Sequence, residues 1–365
     1  MEIEKLIEYA SNLDDPRRKY GNLRHKLVDI IVIGLCTVLS GGEDFVDMEE
    51  VGNERETWFR TFLELPNGIP DSDTFRRVFE RLNPSGLSEC LRDWIEAHKG
   101  GKFVNIDGKT IRGSGNSERK TYHVVSAWSQ ERRFTLGEVA VSEKSNEIPA
   151  VRELLDLIDI EKSTVTADAM HCQSDTVAKI IEKGADYCLA VKDNQSELYE
   201  NVKLYFEKEE SEYTTTTLEK GHGRIEKREY KLETRVSWLS DKAKWINLSG
   251  IGCVESEVFE KGVERRDKRY FITSLIDVKA FSEAVRGHWA IENNLHWTLD
   301  VIFGEDKARA RKDNSPLNMN ILRKTALKLL SDYKPPQKRL SLRKKMFIAA
   351  MSPEKLTNIL FQTKK

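Results

Sequence analysis

The sequence of 365 residues contains 39% hydrophobic and 33% charged residues, which is the composition of a globular protein and not of a disordered, fibrous or membrane-embedded one. A chain of this length is too long for a single core, so we expect a main domain with appended or inserted parts. The net charge of −1 is uneven, because residues 307–365 carry 16 Lys and Arg against 3 acids, a local charge of +13 that suits either contact with phosphate backbones or a solvated helix face.

The cysteines and the apolar segments exclude several classes of protein. The five cysteines are odd in number, widely separated and without a CxxC pair, which argues against a disulfide framework and a cysteine-rich zinc site. The segment MEIEKLIEYASNLDD lacks the apolar core of a secretory signal. The most apolar stretch, LVDIIVIGLCTVLS, contains Asp29 and is too short to span a bilayer, so it predicts a buried helix. A reducing cytoplasmic location is expected.

Residues 1–98 are predicted to form a helical domain. The segment GIPDSDTFRRVFERLNPSG is typical of its helices, since Asp71 or Ser72 can cap its start and an Asn-Pro pair ends it. Its apolar residues form a stripe, whereas Arg76 and Arg77 project from another side. The two arginines could contact a DNA groove or could simply be exposed, and the sequence leaves both interpretations open.

An α/β architecture, a mixed sheet flanked by helices, is predicted for residues 99–330. The segments KFVNIDGKTIRG, TYHVVSAWS and RFTLGEVAVSE alternate as strands do, and STVTADA and DYCLAV follow as strands separated by helical segments. Between about 193 and 270 a charged helix and a hairpin interrupt this rhythm, so a strand-rich insertion is predicted there. Residues 331–365 form a basic C-terminal segment.

Two aspartates stand at corresponding places in the predicted strands. Asp107 in FVNIDGK and Asp168 in TVTADAMH each lie on the more polar side of a strand and end it. Either one alone could simply begin a turn, because Asp is common at strand ends and Asp-Gly is a turn signal. Two such aspartates in one sheet favour a shared chemical role.

Glu292 is the third candidate acid. The predicted helix VKAFSEAVRGHWAIENNLHWTLDVIF places it in an apolar stripe with Phe281, Val285 and Leu299, so a buried side chain is expected. A buried carboxylate needs a cationic partner, a metal ion or a raised pKa, because an unpaired buried charge is costly. A purely structural salt bridge is the alternative.

Three carboxylates that come together repel one another, and a divalent cation is the usual reason for such an arrangement. Mg²⁺ prefers oxygen ligands, with Mn²⁺ as a substitute, and two such ions about 4 Å apart can activate an attacking hydroxyl and stabilise the leaving oxygen of a phosphodiester. We therefore predict Asp107, Asp168 and Glu292 as catalytic and metal-binding residues.

A zinc hydrolase is a competing prediction from the same helix. His288, Glu292 and His296 are spaced four apart on one helix face, and His171 could supply a fourth ligand. Such a site would leave both strand aspartates without a role.

Five segments occur in the same order as in one known family: IDGKTIRG, TADAMHCQ, KDNQ, HGRIEKREY and RGHWAIENNLHWTLDVIFGED. Together they cover residues 102 to about 330 and resemble the insertion-sequence transposases of the group that includes the H-repeat-associated proteins. The segments DPRRKYGNLRHKL and GIPDSDTFRRVF resemble the N-terminal domain associated with that family.

This resemblance implies a ribonuclease H-like core with an Asp-Asp-Glu triad and a strand-rich insertion between the second and third acids. The triad falls on Asp107, Asp168 and Glu292. In similar transposases Mg²⁺ supports hydrolysis at an element's end, and the exposed 3′-hydroxyl then attacks target DNA. Double-stranded DNA is thus the expected partner, with a homodimer assembled on it and the nucleoid as the place of action. A DNA-binding relative that no longer transposes is the alternative, and metal-dependent strand cleavage distinguishes the two.

The sequence departs from the wider group around its Glu. That group has a Tyr seven residues before, an Arg four before and a Lys seven after, whereas Val285, His288 and Leu299 stand at these positions here. DNA contacts made by that Tyr, Arg and Lys therefore cannot be transferred. In their place we predict phosphate contacts from five other basic residues: Lys109, Arg224, Arg286, Arg309 and Arg311.

Overall fold

The fold combines a body of helices with a large sheet, and the computed structural model describes residues 3–17, 23–95, 100–115, 120–141, 147–221, 223–335 and 339–361. Within these ranges, no helix is both long and apolar enough to cross a membrane.

The N-terminal part is helical, and within its described residues the helices are α1 (Ile3–Ser11), α2 (Leu27–Leu39), α3 (Phe45–Glu54), α4 (Glu56–Phe59), α5 (Ser72–Arg81) and α6 (Pro84–Trp94). Every residue of α2 is buried, including Asp29, and burial raises the pKa of that carboxyl to about 6. The Asp71 side chain caps α5 by accepting a hydrogen bond from the Thr74 N–H at 2.6 Å. Asn83 then caps α6, with Pro84 in the first turn. The helical character and these boundaries agree with the sequence pattern.

In the described part of the chain a nine-stranded sheet follows, with strands β1 (Phe103–Ile111), β2 (Tyr122–Ser129), β3 (Phe134–Val141), β4 (Thr164–Ala167), β5 (Asp186–Val191), β6 (Tyr213–Gly221), β7 (Arg224–Glu233), β8 (Gly250–Glu260) and β9 (Val263–Thr273). Their order is β3-β2-β1-β4-β5-β9-β8-β7-β6. The strands β1, β4 and β5 are parallel, and all other neighbours are antiparallel. The predicted mixed sheet is confirmed.

Helices cover both faces of the sheet. On one face lie α7 (Glu147–Leu157), α8 (Ser174–Glu182) and α9 (Ser196–Lys208), whose apolar residues share a core with β1, β4 and β5. On the other face lies α10 (Val278–Ala290), where Phe281, Ala284 and Val285 pack against residues of β7, β8 and β9. The latter helix therefore crosses the sheet and leads toward the carboxyl end of β4.

The strands between residues 193 and 270 extend the main sheet. The last of them, β9, pairs with β5 on one side and with β8 on the other. The predicted strand-rich segment is thus continuous with the sheet that carries Asp107, and the hairpin β6–β7 forms its edge.

The C-terminal helices return to the helical body. They are α11 (Trp297–Val301), α12 (Ser315–Asp332), α13 (Leu342–Met351) and α14 (Pro353–Phe361). α12 is buried along most of its length and packs against α2, α5, α6 and β3. Apolar residues of α13 and α14 belong to the same core as α2. Much of the basic C-terminal segment is therefore part of the folded core.

Candidate active site

The register of two parallel strands brings Asp107 and Asp168 together. The last paired residues of β1 and β4 are Ile106 and Ala167, and the next residue on each chain is one of the two aspartates. β4 ends there, but β1 continues to Ile111, so Asp107 lies within its strand and not at its end as predicted. The side chain of Asp107 is 19% exposed, whereas that of Asp168 is 67% exposed.

The carboxyl group of Asp107 is held in an unfavourable environment for its charge. Burial raises its pKa to about 6, and the negative charges of Asp168 and, more weakly, Glu292 add to this effect. The Gly108 N–H donates to Oδ1 at 2.8 Å, and His296 Nδ1 lies 3.5 Å from Oδ2. Asp107 is thus within electrostatic reach of both other acids.

Glu292 is exposed, so the prediction that its side chain is buried was wrong. The cause is a π-helical turn, Ile291–His296, that joins α10 to α11. A π turn holds more residues than an α-helical turn, so positions spaced by 3.6 residues no longer share a face. Ile291 and Leu295 are the buried residues of this turn, and Glu292 stands beside them at the surface. It needs no buried cationic partner.

Two histidines on either side of Glu292 contact the two aspartates. His288 Nε2 lies 3.3 Å from Asp168 Oδ1, and its Nδ1 lies 2.9 Å from Thr166 Oγ1. The hydrogen bond with His288 lowers the pKa of Asp168. His296 faces Asp107, and burial lowers the pKa of this imidazole to about 3, so it is neutral at ordinary pH. The helix is docked onto both aspartates through these contacts.

These contacts do not favour the zinc hydrolase. His288 faces Asp168, His296 faces Asp107, and His171 Nε2 faces Glu147 Oε2 at 3.5 Å, so the three histidines point to three different carboxylates. In the described ranges, no group of three His, Cys, Asp or Glu side chains is arranged to hold a metal ion as it stands.

A buried His-Glu-His group lies next to the strand that carries Asp107, and it was not predicted from the sequence. Glu147 Oε1 is 2.8 Å from His123 Nε2, and its other oxygen faces His171. Burial alone would raise the pKa of Glu147, but hydrogen bonds from the two histidines outweigh it and lower the pKa to about 2. A Cβ on Gly108 would lie 2.3 Å from His123 Nε2, so a glycine is required next to Asp107. A histidine within the apolar strand TYHVV was the available signal.

The donor chemistry at the aspartates fits a hard divalent cation. A cleft of about 450 Å³ is lined by Asp107, Asp168, His171 and Lys192. A cation there would relieve the repulsion that raises the pKa of Asp107. The contact with His288 engages Oδ1 of Asp168, which is one of the two oxygens of this carboxylate.

The predicted phosphate contacts differ in how accessible they are. Lys109 is nearly buried, and its Nζ forms ion pairs with Asp300 at 2.7 Å and Glu305 at 2.9 Å, which does not favour the predicted phosphate contact. Arg286 is partly exposed and makes a bidentate ion pair with Glu219, and Arg224 is paired with Glu226. Arg309 and Arg311 are exposed, and Arg311 Nε donates to the Gly113 carbonyl at 3.1 Å.

An arginine-lined groove that the sequence did not reveal lies on the insertion strands. It has a volume of about 500 Å³, and six arginines and three acids line it: Arg224, Arg228, Arg265, Arg266, Arg269 and Arg286, with Glu226, Glu260 and Asp267. The exposed Trp289 and Asn293 complete its wall, and the Arg269 guanidinium lies 5.5 Å from the Trp289 ring centre. The arginine groove therefore borders the turn that carries Glu292.

Comparison with known proteins places two family models on the chain. The model described as "Transposase DDE domain" matches residues 98–329, and the model described as "DDE_Tnp_1-associated" matches residues 7–95. Similar proteins include "Putative transposase YncI" of Escherichia coli O157:H7, 38% identical over 92% of this chain and 89% of that protein. "H repeat-associated putative transposase YhhI" of Escherichia coli K12 is 34% identical over 99% of this chain and 98% of that protein.

Among solved structures, a piggyBac transposase synaptic complex with hairpin DNA aligns with 98% of this chain and 77% of that chain. The sequence identity is 10% and the TM-score is 0.40, which is too low to establish a shared fold.

Proposed function

Because the chain belongs to the family of proteins with a transposase DDE domain, we propose that it cleaves the ends of an insertion element in a metal-dependent reaction and transfers the 3′-hydroxyl strand to target DNA. The observation that carries this proposal is the β1–β4 register, which sets Asp107 beside Asp168 with Glu292 in electrostatic reach.

We assign the strands β3-β2-β1-β4-β5 to a ribonuclease H-like catalytic core. In this part of the sheet three antiparallel strands adjoin two parallel ones, and the first two proposed acids lie on β1 and directly after β4. After β5, the segment that separates the second acid from the third adds four more strands, β6 to β9, to the same sheet. This order supports the implied position of the insertion.

The three acids are the proposed ligands of Mg²⁺, or of Mn²⁺ as its substitute. When bound, such ions lower the pKa of an attacking hydroxyl and neutralise the leaving oxygen. Asp107 has the greatest need of a cation among the three, since burial and then the charge of Asp168 raise its pKa. Asp168 is held by His288 in the metal-free protein, and Glu292, being exposed, can approach the aspartates without breaking a buried contact.

Double-stranded DNA is the proposed partner, bound by a homodimer. The arginine groove lies on one side of the Glu292 turn and carries more arginines than acids, so it can follow a phosphate backbone. Arg224 and Arg286 line this groove. When DNA binds, Arg224 would leave Glu226 and Arg286 would leave Glu219, and each would contact a phosphate instead. Arg309 and Arg311 are exposed and supply further contacts.

The decisive experiment is strand nicking of DNA that carries the element's own flanking ends, with Mg²⁺ or Mn²⁺ and with EDTA. We expect metal-dependent nicking by the wild type and at least about a 10³-fold slower rate for Glu292→Ala, since several kcal/mol of transition-state stabilisation are lost. Glu283→Ala is the matched control, because Glu283 is a partly exposed acid of α10 that forms an ion pair with Lys102.

The outcomes separate the enzyme from a relative that only binds DNA. Nicking by the wild type and by Glu283→Ala, but not by Glu292→Ala, supports the transposase. If the wild type binds the ends and does not nick them with either metal, the enzymatic proposal is wrong and DNA binding alone remains.

A further inference from the structure

A second cationic cavity also borders the Glu292 turn. Its volume is about 650 Å³. Its walls come from the β2–β3 connection, from the π turn and α11, from the end of α12 and from the start of α13. Two of its lining residues, Asn294 and Thr298, follow Glu292 by two and six positions. A ligand in this cavity would touch the element that carries the proposed third acid.

The charge of the cavity is one-sided. Four basic residues line it, Arg133, Lys334, Arg339 and Lys345, and no acidic residue is among its described lining residues. Burial lowers the pKa of Lys345, and the positive charge of Arg133 lowers it further, while Asp332 opposes this. Asp332 itself forms an ion pair with Lys328 at 2.5 Å. The cavity therefore holds positive charges that lack a carboxylate counterpart inside it.

Two neutral features of the cavity also suit an anion. α13 is ten residues long and begins at the cavity, where Ser341 is its N-cap, and the N–H groups of a helix N-terminus attract negative charge. Trp128 is only 1% exposed and lines the cavity, and its Nε1–H is buried without an acceptor among the described residues. A buried donor without a partner is costly, and a ligand oxygen that reached this wall of the cavity would supply the missing acceptor.

We propose that this cavity binds a backbone phosphate of the DNA strand that passes the Glu292 turn. The inference rests on the proposed function and adds a second phosphate site, next to the same turn as the arginine groove. Its volume exceeds that of one phosphate, and apolar walls from Leu327, Pro335 and Leu340 suit the attached deoxyribose. DNA could then be held at two places that border the Glu292 turn.

The test compares two double variants that each remove two positive charges. Arg133→Gln/Arg339→Gln changes exposed residues of the cavity. Lys162→Gln/Lys208→Gln is the control, since Lys162 precedes β4 at the end remote from Asp168 and Lys208 ends α9 on the sheet face opposite to α10. All four residues are exposed, so circular dichroism should show both variants folded. DNA affinity is measured from about 50 to 200 mM salt.

The cavity variant should show a salt-dependence slope smaller by about 0.9, because the cavity contacts one phosphate and each lost phosphate contact removes about 0.9 from the slope. The control variant should keep the wild-type slope. An unchanged slope in the cavity variant, or an equal loss in the control, overturns the inference.

Strand nicking by the wild type and thermal unfolding with phosphate show whether the phosphate site or the enzymatic proposal has failed. If the wild type nicks DNA but the cavity variant keeps its slope, only the phosphate site is wrong. If the slope falls although the wild type does not nick, the phosphate site stands and the enzymatic proposal fails. Thermal unfolding with inorganic phosphate against chloride is the other arm: stabilisation of the wild type alone, without a slope change, would make the cavity a free-anion site and overturn its assignment to DNA.

Discussion

Asp107 is largely buried and lies near two other acids, so its negative charge is unfavourable in the absence of a metal ion. Its pKa of about 6 lies above the ordinary value of 3.8, so the folded protein binds this proton more tightly than the unfolded chain does. Stability therefore falls as the pH rises from about 4 to about 6, and the full penalty applies above that range. A group of residues that destabilises the folded protein until a cation binds is typical of a functional site.

Replacing Asp107→Asn should raise the free energy of unfolding of the metal-free protein at pH 7 by about 1 to 3 kcal/mol, because the variant removes a charge that the folded state disfavours. The gain should disappear below about pH 4, where Asp107 is protonated in both states. Urea unfolding in EDTA at both pH values measures this.

The control is Asp175→Asn, which changes an aspartate whose side chain is 74% exposed and which has one surface ion pair, with Arg152. Such pairs contribute little, so its stability should stay near the wild-type value at both pH values. An equal or lower stability of Asp107→Asn at pH 7 would contradict the raised pKa.

At the scale of the element, the π turn decides where Glu292 points. A continuous α-helix would have placed Glu292 in the apolar stripe, whereas the turn buries Ile291 and Leu295 and leaves Glu292 at the surface. Single π turns inside α-helices are often found at functional sites. The same turn presents Asn293 to the arginine groove and Asn294 to the second cavity.

A buried ion-pair network joins β1 to the segment after Glu292. Glu305 is fully buried and is contacted by Lys109, by Asn320 Nδ2 at 2.7 Å and by Arg323. Burial would lower the pKa of Lys109, but the charges of Glu305 and Asp300 outweigh it and raise the pKa. The network fixes the strand of Asp107 against the helix of Glu292.

Lys109→Met should lower the free energy of unfolding by about 3 kcal/mol, because it leaves the buried carboxylate of Glu305 with incomplete compensation. Urea unfolding of this variant and of Lys307→Met, which alters a nearby exposed lysine, measures the effect. If Lys109→Met kept its stability and lost only DNA affinity, Lys109 would be the phosphate contact that the sequence predicted.

At the scale of the whole molecule, the two ends of the chain share one core. α12 lies between the N-terminal helices and the sheet, and residues of α13 and α14 complete the core around α2. The basic residues of this region therefore lie on packed helices, and Lys345 of the second cavity is part of α13.

Ile359→Ala should lower the free energy of unfolding by about 2 to 4 kcal/mol, since it opens a cavity in this shared core. Ile359 is 0% exposed, whereas Phe347 on α13 is 57% exposed, so Phe347→Ala should change stability by less than about 0.5 kcal/mol. Thermal and urea unfolding measure both. Equal effects would show that α14 does not contribute to the core.

Local sequence patterns determined the elements. The Asp71 cap and the Asn-Pro stop define α5, and the alternation in FVNIDGK and TVTADA defines β1 and β4, because caps and side-chain alternation depend on neighbouring residues alone. The same patterns, with the family resemblance, singled out Asp107, Asp168 and Glu292, whose catalytic roles stay a prediction.

Only the tertiary structure decided how these residues meet. The β1–β4 register set the two aspartates side by side, the π turn exposed Glu292, and the fold paired Lys109 with Glu305 from a distant part of the chain. It also assembled the His123-Glu147-His171 group, the arginine groove and the second cationic cavity from separate elements. Contacts between distant segments depend on packing and strand register, and a local pattern carries no information about either.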